Sequence, residues 1–316
     1  MSAVGNGPRL PNLFIVGAPK CGTTAWVEYL RTHPDIFFPT VKDHCYFAFD
    51  LPNLRLTSTE ADYAQLFADG GDAKIIGEAS AMYLFSKDAA GAIRAHCPAA
   101  KILIFLREQE SYLPSLHNQF LWEFAEEIED FEAAWKLSGR RPQETIPGLC
   151  LEPATLDYAA MGRFGEQVGR FLAHFPAEQV RVFWSRDWVA DPRVTYLQIL
   201  EFLELEDDGR TEFPPANQGQ TYRSRAFTRL IVSPPTALRE SARLMKKLTG
   251  PLGRQLHRMA LKTARRMSAP GYKQIRPELR EEIRSYYAED NELLEQRVRR
   301  ALDIRPATTS RRTEGG

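Results

Sequence analysis

The stretch "LFIVGAPKCGTT" (13–24) decides the fold. Its apolar half ends at Gly17, as a strand buried on both faces of a parallel sheet would. "TTAWVEYLRTHP" then reads as a helix that stops before Pro34. Between them Gly17 and Gly22 keep the spacing of the phosphate-binding loop G-x-x-x-x-G-K-[ST], in which the lysine after the second glycine reaches the outer phosphates. Here Thr23 takes the lysine position and Lys20 lies inside the loop. A glycine-rich turn lets backbone N–H groups converge on a phosphate at the positive end of a helix. Thr23 and Thr24 add hydroxyl donors, and Lys20 brings an ammonium against the phosphate or its bridging oxygen.

Outward from this unit the chain alternates strands and helices. "KIIGEAS" (74–80), "KILIFL" (101–106) and "QVRVFW" (179–184) are buried-strand candidates. "SKDAAGAIRAHCP", with Ser86 as its cap, and "FGEQVGRFLAHFP" read as helices. So does "DPRVTYLQILEFL", with Asp191 as cap and Pro192 at its first position. Such alternation predicts an α/β protein: a P-loop-like three-layer fold with a central parallel sheet flanked by helices. "PELREEIRSYYAEDNELLEQRVRRAL" closes it as a charged amphipathic helix or helix pair on the sheet's outer layer. Residues 11–305 are expected to form one domain, with short flexible ends at 1–10 and 306–316.

The composition, 43% hydrophobic and 26% charged, supports a sizeable core. No apolar run approaches the ~18–20 residues of a membrane span. Cys21, Cys45, Cys97 and Cys150 form no C-x-x-C pair, which argues against a zinc site or disulfide framework and for a reducing compartment. A cytoplasmic protein is expected. Net charge is zero but unevenly spread: residues 221–276 hold fourteen Lys/Arg and one acid, Glu240. Residues 123–132 hold six acids and no base, as a solvated helix face would. The lopsided basic region raises the odds of an anionic ligand or surface. Residues 216–270, rich in proline, read as a mobile cover over the site. Leu/Met positions interleaved with bases at 238–267 suit peripheral contact with a membrane surface.

An ATP-dependent kinase would need an acid after a hydrophobic strand to organise magnesium. "KILIFL" ends in Arg107 instead, although Glu78 also follows an apolar run. "PKCGTT", "KDHCYF" and "FLREQESYLPS" fall in the order and approximate spacing of the sulfotransferases, which the chain resembles over most of residues 11–225. The likeness is strongest to the bacterial and glycan O-sulfotransferase branch. It implies 3′-phosphoadenosine 5′-phosphosulfate (PAPS) as donor, with 3′-phosphoadenosine 5′-phosphate (PAP) as product and no metal. By this resemblance Ala18, Pro19, Lys20, Cys21, Gly22, Thr23 and Thr24 cradle the 5′-phosphosulfate, and Arg107 and Ser115 bind the 3′-phosphate. Arg223, Ser224 and Arg225, in "NQGQTYRSRAF" (217–227), resemble a loop that folds over the nucleotide. Glu108 and Gln109 stand where Asn/Asp-Pro is usual, and Tyr112 takes the place of a later arginine. Pro114 fits only the first turn of a helix.

The family's K-E-x-H-F-F motif carries a catalytic glutamate. Aligned on Lys42 and the aromatic pair, Asp43 takes the acid's place, Cys45 takes the histidine's, and His44 is displaced by one residue. Asp43 is the first candidate for the base and His44 the second, being the readier base near neutral pH. "GEASAMYL" (77–84) resembles a family stretch bordering the acceptor, and Glu78 reads either as a pocket carboxylate or a structural one. The expected activity is direct, in-line sulfuryl transfer to a hydroxyl on a sugar, lipid-linked or natural-product acceptor. The alternatives are a P-loop kinase and a non-catalytic binder of anionic partners through the basic C-terminal third. No nucleic-acid module is recognised.

Overall fold

The computed structural model describes residues 10–214, 220–221, 269–270 and 275–301. Five strands form one parallel sheet: β1 (Leu13–Gly17), β2 (Ile36–Phe37), β3 (Ile75–Ala79), β4 (Lys101–Leu106) and β5 (Val180–Trp184). Their order is β2-β3-β1-β4-β5. Leu13 pairs with Gly77 on one side and Lys101 on the other. Every residue of β1 and β3 is buried. Burying each large apolar side chain contributes roughly 1.5–3 kcal/mol, which explains why these runs carry no alternation. The expected three-layer α/β arrangement, a parallel sheet flanked by helices, is what the chain adopts.

The chain leaves β1 toward one sheet edge and later crosses to the other side at β4, so β1 lies at the switch point of the strand order. The crevice beyond the strand ends there is where open α/β sheets bind ligands. Helix α1 (Thr23–Arg31) starts from the loop after β1, and α2 (Glu60–Gln65) and α3 (Ala89–His96) precede β4. Helices α4 (Gln109–Glu123), α5 (Phe131–Trp135), α6 (Tyr158–Met161) and α7 (Phe164–His174) lead to β5. Helices α8 (Ser185–Ala190) and α9 (Pro192–Leu203) follow it. The C-terminal pair, α10 (Pro277–Tyr286) and α11 (Ala288–Ala301), packs on α4 and α7 respectively. Asp290 of α11 accepts from the Gly165 and Glu166 amides at 2.7 and 3.0 Å, supplying a cap that α7 lacks locally.

Asp191 caps α9 as expected, accepting from Val194 N at 3.0 Å. Ser86 also caps, but from three residues before the first residue of α3: its hydroxyl accepts from Asp88 N and Ala89 N at 3.2 and 3.1 Å. Pro114 corrects an expectation. It lies in the second turn of α4, not the first. Its missing N–H forfeits the bond to the Glu110 carbonyl, a loss of about 3 kcal/mol in an isolated helix. Here Tyr112, Leu113, Pro114 and Leu116 are all buried, and that packing offsets the loss. The acidic run 123–132 is likewise not one solvated face. Glu126 is fully buried, bound by both Arg141 terminal nitrogens and by the Tyr158 hydroxyl at 3.1 Å. No helix among the described residues is long and apolar enough to cross a membrane. All four cysteines are free thiols.

Candidate active site

The loop after β1 turns on two residues with left-handed backbone, Lys20 (φ 63°) and Gly22 (φ 91°). Gly22 has no alternative. A Cβ there would lie 2.4 Å from Trp188 Cζ2, and that indole is held edge-on against the buried Trp26. Gly22→Ala is therefore expected to cost about 1–3 kcal/mol of stability and to weaken phosphate binding; thermal melts with a PAP titration measure both. Gly22 is also the N-cap of α1, where no side chain caps the first amides and no acid occupies the first turn. A helix start of this kind carries unpaired amides and a positive dipole end, which favour an anion.

The loop and the second motif converge because β1 and β4 are neighbours. Ala18 N donates to Phe105 O at 2.7 Å, which sets Arg107 beside the loop. Burial lowers the Lys20 ammonium pKa; Glu123 opposes the fall, while Arg107 and Lys42 add to it. Three charged groups from three segments thus share one field with Lys20. Burial pushes the Cys21 thiol well up, so it is an inert loop residue. Thr23 is buried, and Pro19 and Thr24 are half-buried. Arg107 Nε donates to Ser111 Oγ at 2.8 Å. Ser111, Ser115, Gln119 and Glu123 follow at intervals of four, a slanted ridge along α4. Gln119 Nε2 donates to Glu123 Oε1 at 2.8 Å. Glu123 is open to solvent on one side and hemmed by protein on the other. That burial raises its carboxyl pKa, with Gln119 and Lys20 opposing and Asp43 adding.

Asp43 and His44 differ in their surroundings. Asp43 (φ 63°) is ion-paired with Lys42, and its Oδ1 accepts from Ala81 N at 3.0 Å. Its side chain keeps 41% exposure, so solvent and an acceptor hydroxyl can reach it. His44 is buried, with Nδ1 3.0 Å from Thr57 Oγ1 and Nε2 3.1 Å from the Val41 carbonyl. Nε2 carries the proton, because a carbonyl can only accept, and Nδ1 takes the Thr57 hydroxyl. Burial also lowers the His44 pKa. Both ring nitrogens are engaged, and the imidazole holds loop 41–57 together.

Glu78, at the end of β3, is 2% exposed. Glu123, Ser111 and Trp188 were not singled out by motif. The interval-of-four polar ridge was the available signal for Ser111 and Glu123; the approach of Trp188 is tertiary and left none. Arg223, Ser224 and Arg225, and the basic segment containing 238–267, lie outside the described residues.

No family model matches the sequence. Human heparan sulfate glucosamine 3-O-sulfotransferase 6 is 25% identical over 202 residues, 63% of this chain and 53% of that protein. Rat carbohydrate sulfotransferase 15 is 25% identical over 251 residues, 62% of this chain and 44% of its own. The crystal structure of a sulfotransferase from Alicyclobacillus acidocaldarius superposes with a TM-score of 0.65 at 24% identity, covering 92% of this chain and 96% of that one. The chain is similar in sequence to these sulfotransferases and shares the fold of the bacterial one. It spans about half the length of the curated relatives it matches.

Proposed function

We propose that the protein is a sulfotransferase of the PAPS-dependent type, moving a sulfuryl group to a hydroxyl of a sugar, lipid-linked or natural-product acceptor. The observation that carries this is the convergence of Lys20 and Arg107 on an uncapped α1 start, with the Asp43 carboxylate inside the same field. The chemistry of the cradle suits a nucleotide phosphate: the α1 start has no side-chain cap and no acid in its first turn, and the donors are cationic or amide groups. PAPS, when bound, supplies the sulfuryl group and a phosphate leaving group.

The chain's own residues divide the remaining work. The loop amides with Thr23 and Thr24 hold the 5′ side. Lys20 neutralises charge growing on the bridging oxygen without a metal. Arg107, steadied by Ser111, and Ser115 hold the 3′-phosphate. Tyr112, which replaces a family arginine, is fully buried and contributes no cation. Asp43 accepts the proton of the acceptor hydroxyl as it attacks. A kinase would need an ionised carboxylate at a strand end, and burial pushes the Glu78 carboxyl up to about 8, so the residue best placed for that role is protonated at neutral pH.

Calorimetric titration with PAP, beside ATP with magnesium, tests the proposal. Metal-independent PAP binding is expected, weakened about 10- to 100-fold in Arg107→Ala by loss of a charge-assisted contact. Binding of ATP–magnesium alone would return the loop to the kinases.

A further inference from the structure

The loop carrying Asp43 is held by the turn that follows β3 through four hydrogen bonds. Asp43 N donates to Ala79 O at 2.7 Å, and Ala81 N donates to Asp43 Oδ1 at 3.0 Å. Cys45 N donates to Ser80 Oγ at 2.9 Å, and Phe47 N donates to the Tyr83 hydroxyl at 3.3 Å. The loop needs this many tethers because Asp43 and Cys45 both adopt left-handed backbone without being glycine. Behind the tethers, the Ser80 hydroxyl donates to Glu78 Oε1 at 2.6 Å. Ser80 Oγ can offer its lone pair squarely to Cys45 only while its proton is directed at Glu78.

Glu78 itself is fully enclosed. Its Oε2 is buried without a hydrogen-bond partner, and no described cation forms an ion pair with it. A carboxyl so placed is stable as the neutral acid. The groups that face it are Ser80 and Tyr83 from its own turn, Lys42, Asp43, His44 and Cys45 from the tethered loop, Tyr63 from α2 and Cys97 after α3. Only Lys42 among these is cationic, and it is already paired with Asp43.

We propose that Glu78 is a positioning residue for Asp43, its carboxyl oxygen orienting the Ser80 hydroxyl on which the Cys45 amide is anchored. This rests on Asp43 being the base. Ionisation of Glu78 sets Lys42 between two carboxylates and loosens its pairing with Asp43. Burial, opposed by the Ser80 and Tyr83 hydroxyls and reinforced by Asp43, holds the carboxyl near 8. The sign follows: a carboxyl raised on folding favours the folded state fully below the ordinary carboxylate range, and that contribution is lost as pH rises to about 8. Activity falls over the same alkaline limb.

Two readouts on the full chain test this. The Cys45 amide resonance, which needs no acceptor or nucleotide, is expected to titrate near pH 8 in the native protein and to stay flat in Glu78→Gln. PAP release from PAPS is expected to lose its alkaline fall in Glu78→Gln, whose amide carbonyl still accepts from Ser80. In Glu78→Ala it drops at least tenfold, with PAP affinity changed less than twofold. A Cys45 resonance that titrates alike in both proteins, or a glutamine variant as impaired as alanine, overturns the proposal. Absence of PAP binding to the native protein would instead sink the sulfotransferase reading, while the Cys45 titration still reports on the Glu78 anchor.

Discussion

Replacing Lys20 with alanine is expected to slow sulfuryl transfer by about 10²–10³-fold, the range for losing one preorganised charge donor at an oxyanion. The loss falls on the rate because the bridging oxygen gains its charge only as the bond breaks. Affinity for PAP should change by about tenfold or less, since Arg107 and the loop amides remain. A rate effect larger than the binding effect marks an interaction made in the transition state. Burial makes the contact strong: the same desolvation that lowers the Lys20 pKa reduces the screening of its field. Lys42 and Arg107 lie in that field too, so some stabilisation survives and the loss stays below a complete knockout. Stopped assays of PAP release, with calorimetry for affinity and a thermal melt for integrity, measure all three quantities. A slowing under tenfold, or one matched by an equal loss of PAP affinity, would remove Lys20 from the transition state.

The sheet was legible because its strands are written as local runs. "KILIFL" matches β4 residue for residue and "LFIVGA" (13–18) runs past β1 by Ala18 alone, since strands buried on both faces carry their whole signal in hydrophobicity. The loop after β1 was legible for a similar reason, as a glycine spacing tied to one backbone shape. What the sequence hid was tertiary. The left-handed turns at Asp43 and Cys45 have no glycine to announce them, because the turn at 79–83 imposes them through bonds that span 35 residues or more. Ser86 capped α3 from a displaced position because the Asp50 carboxylate also holds its hydroxyl. Pro114 misled for the same reason: helix-breaking is a local rule, and buried packing around α4 overrides it. His44 misled chemically. Its intrinsic basicity argued for catalysis, but Thr57 and the Val41 carbonyl engage both nitrogens, which only the folded loop 41–57 reveals.

That difference between Asp43 and His44 gives the other large expected effect. Asp43→Asn should lower turnover by about 10²–10⁴-fold, the contribution of a positioned general base. An asparagine oxygen can still accept from Ala81 N, so the fold should hold. The amide cannot take the acceptor's proton, and Lys42 loses its anionic partner. His44→Ala should act in the opposite sense. It leaves the Thr57 hydroxyl and Val41 carbonyl without partners in a buried site, a cost of about 1–3 kcal/mol, so the melting temperature drops. Turnover per folded molecule should fall no more than a few-fold. Parallel measurement of kcat and thermal stability separates the two substitutions. An Asp43→Asn protein with intact turnover, beside a stable His44→Ala protein with none, would reverse the assignment. It would also require the Val41 bond to break before His44 could act.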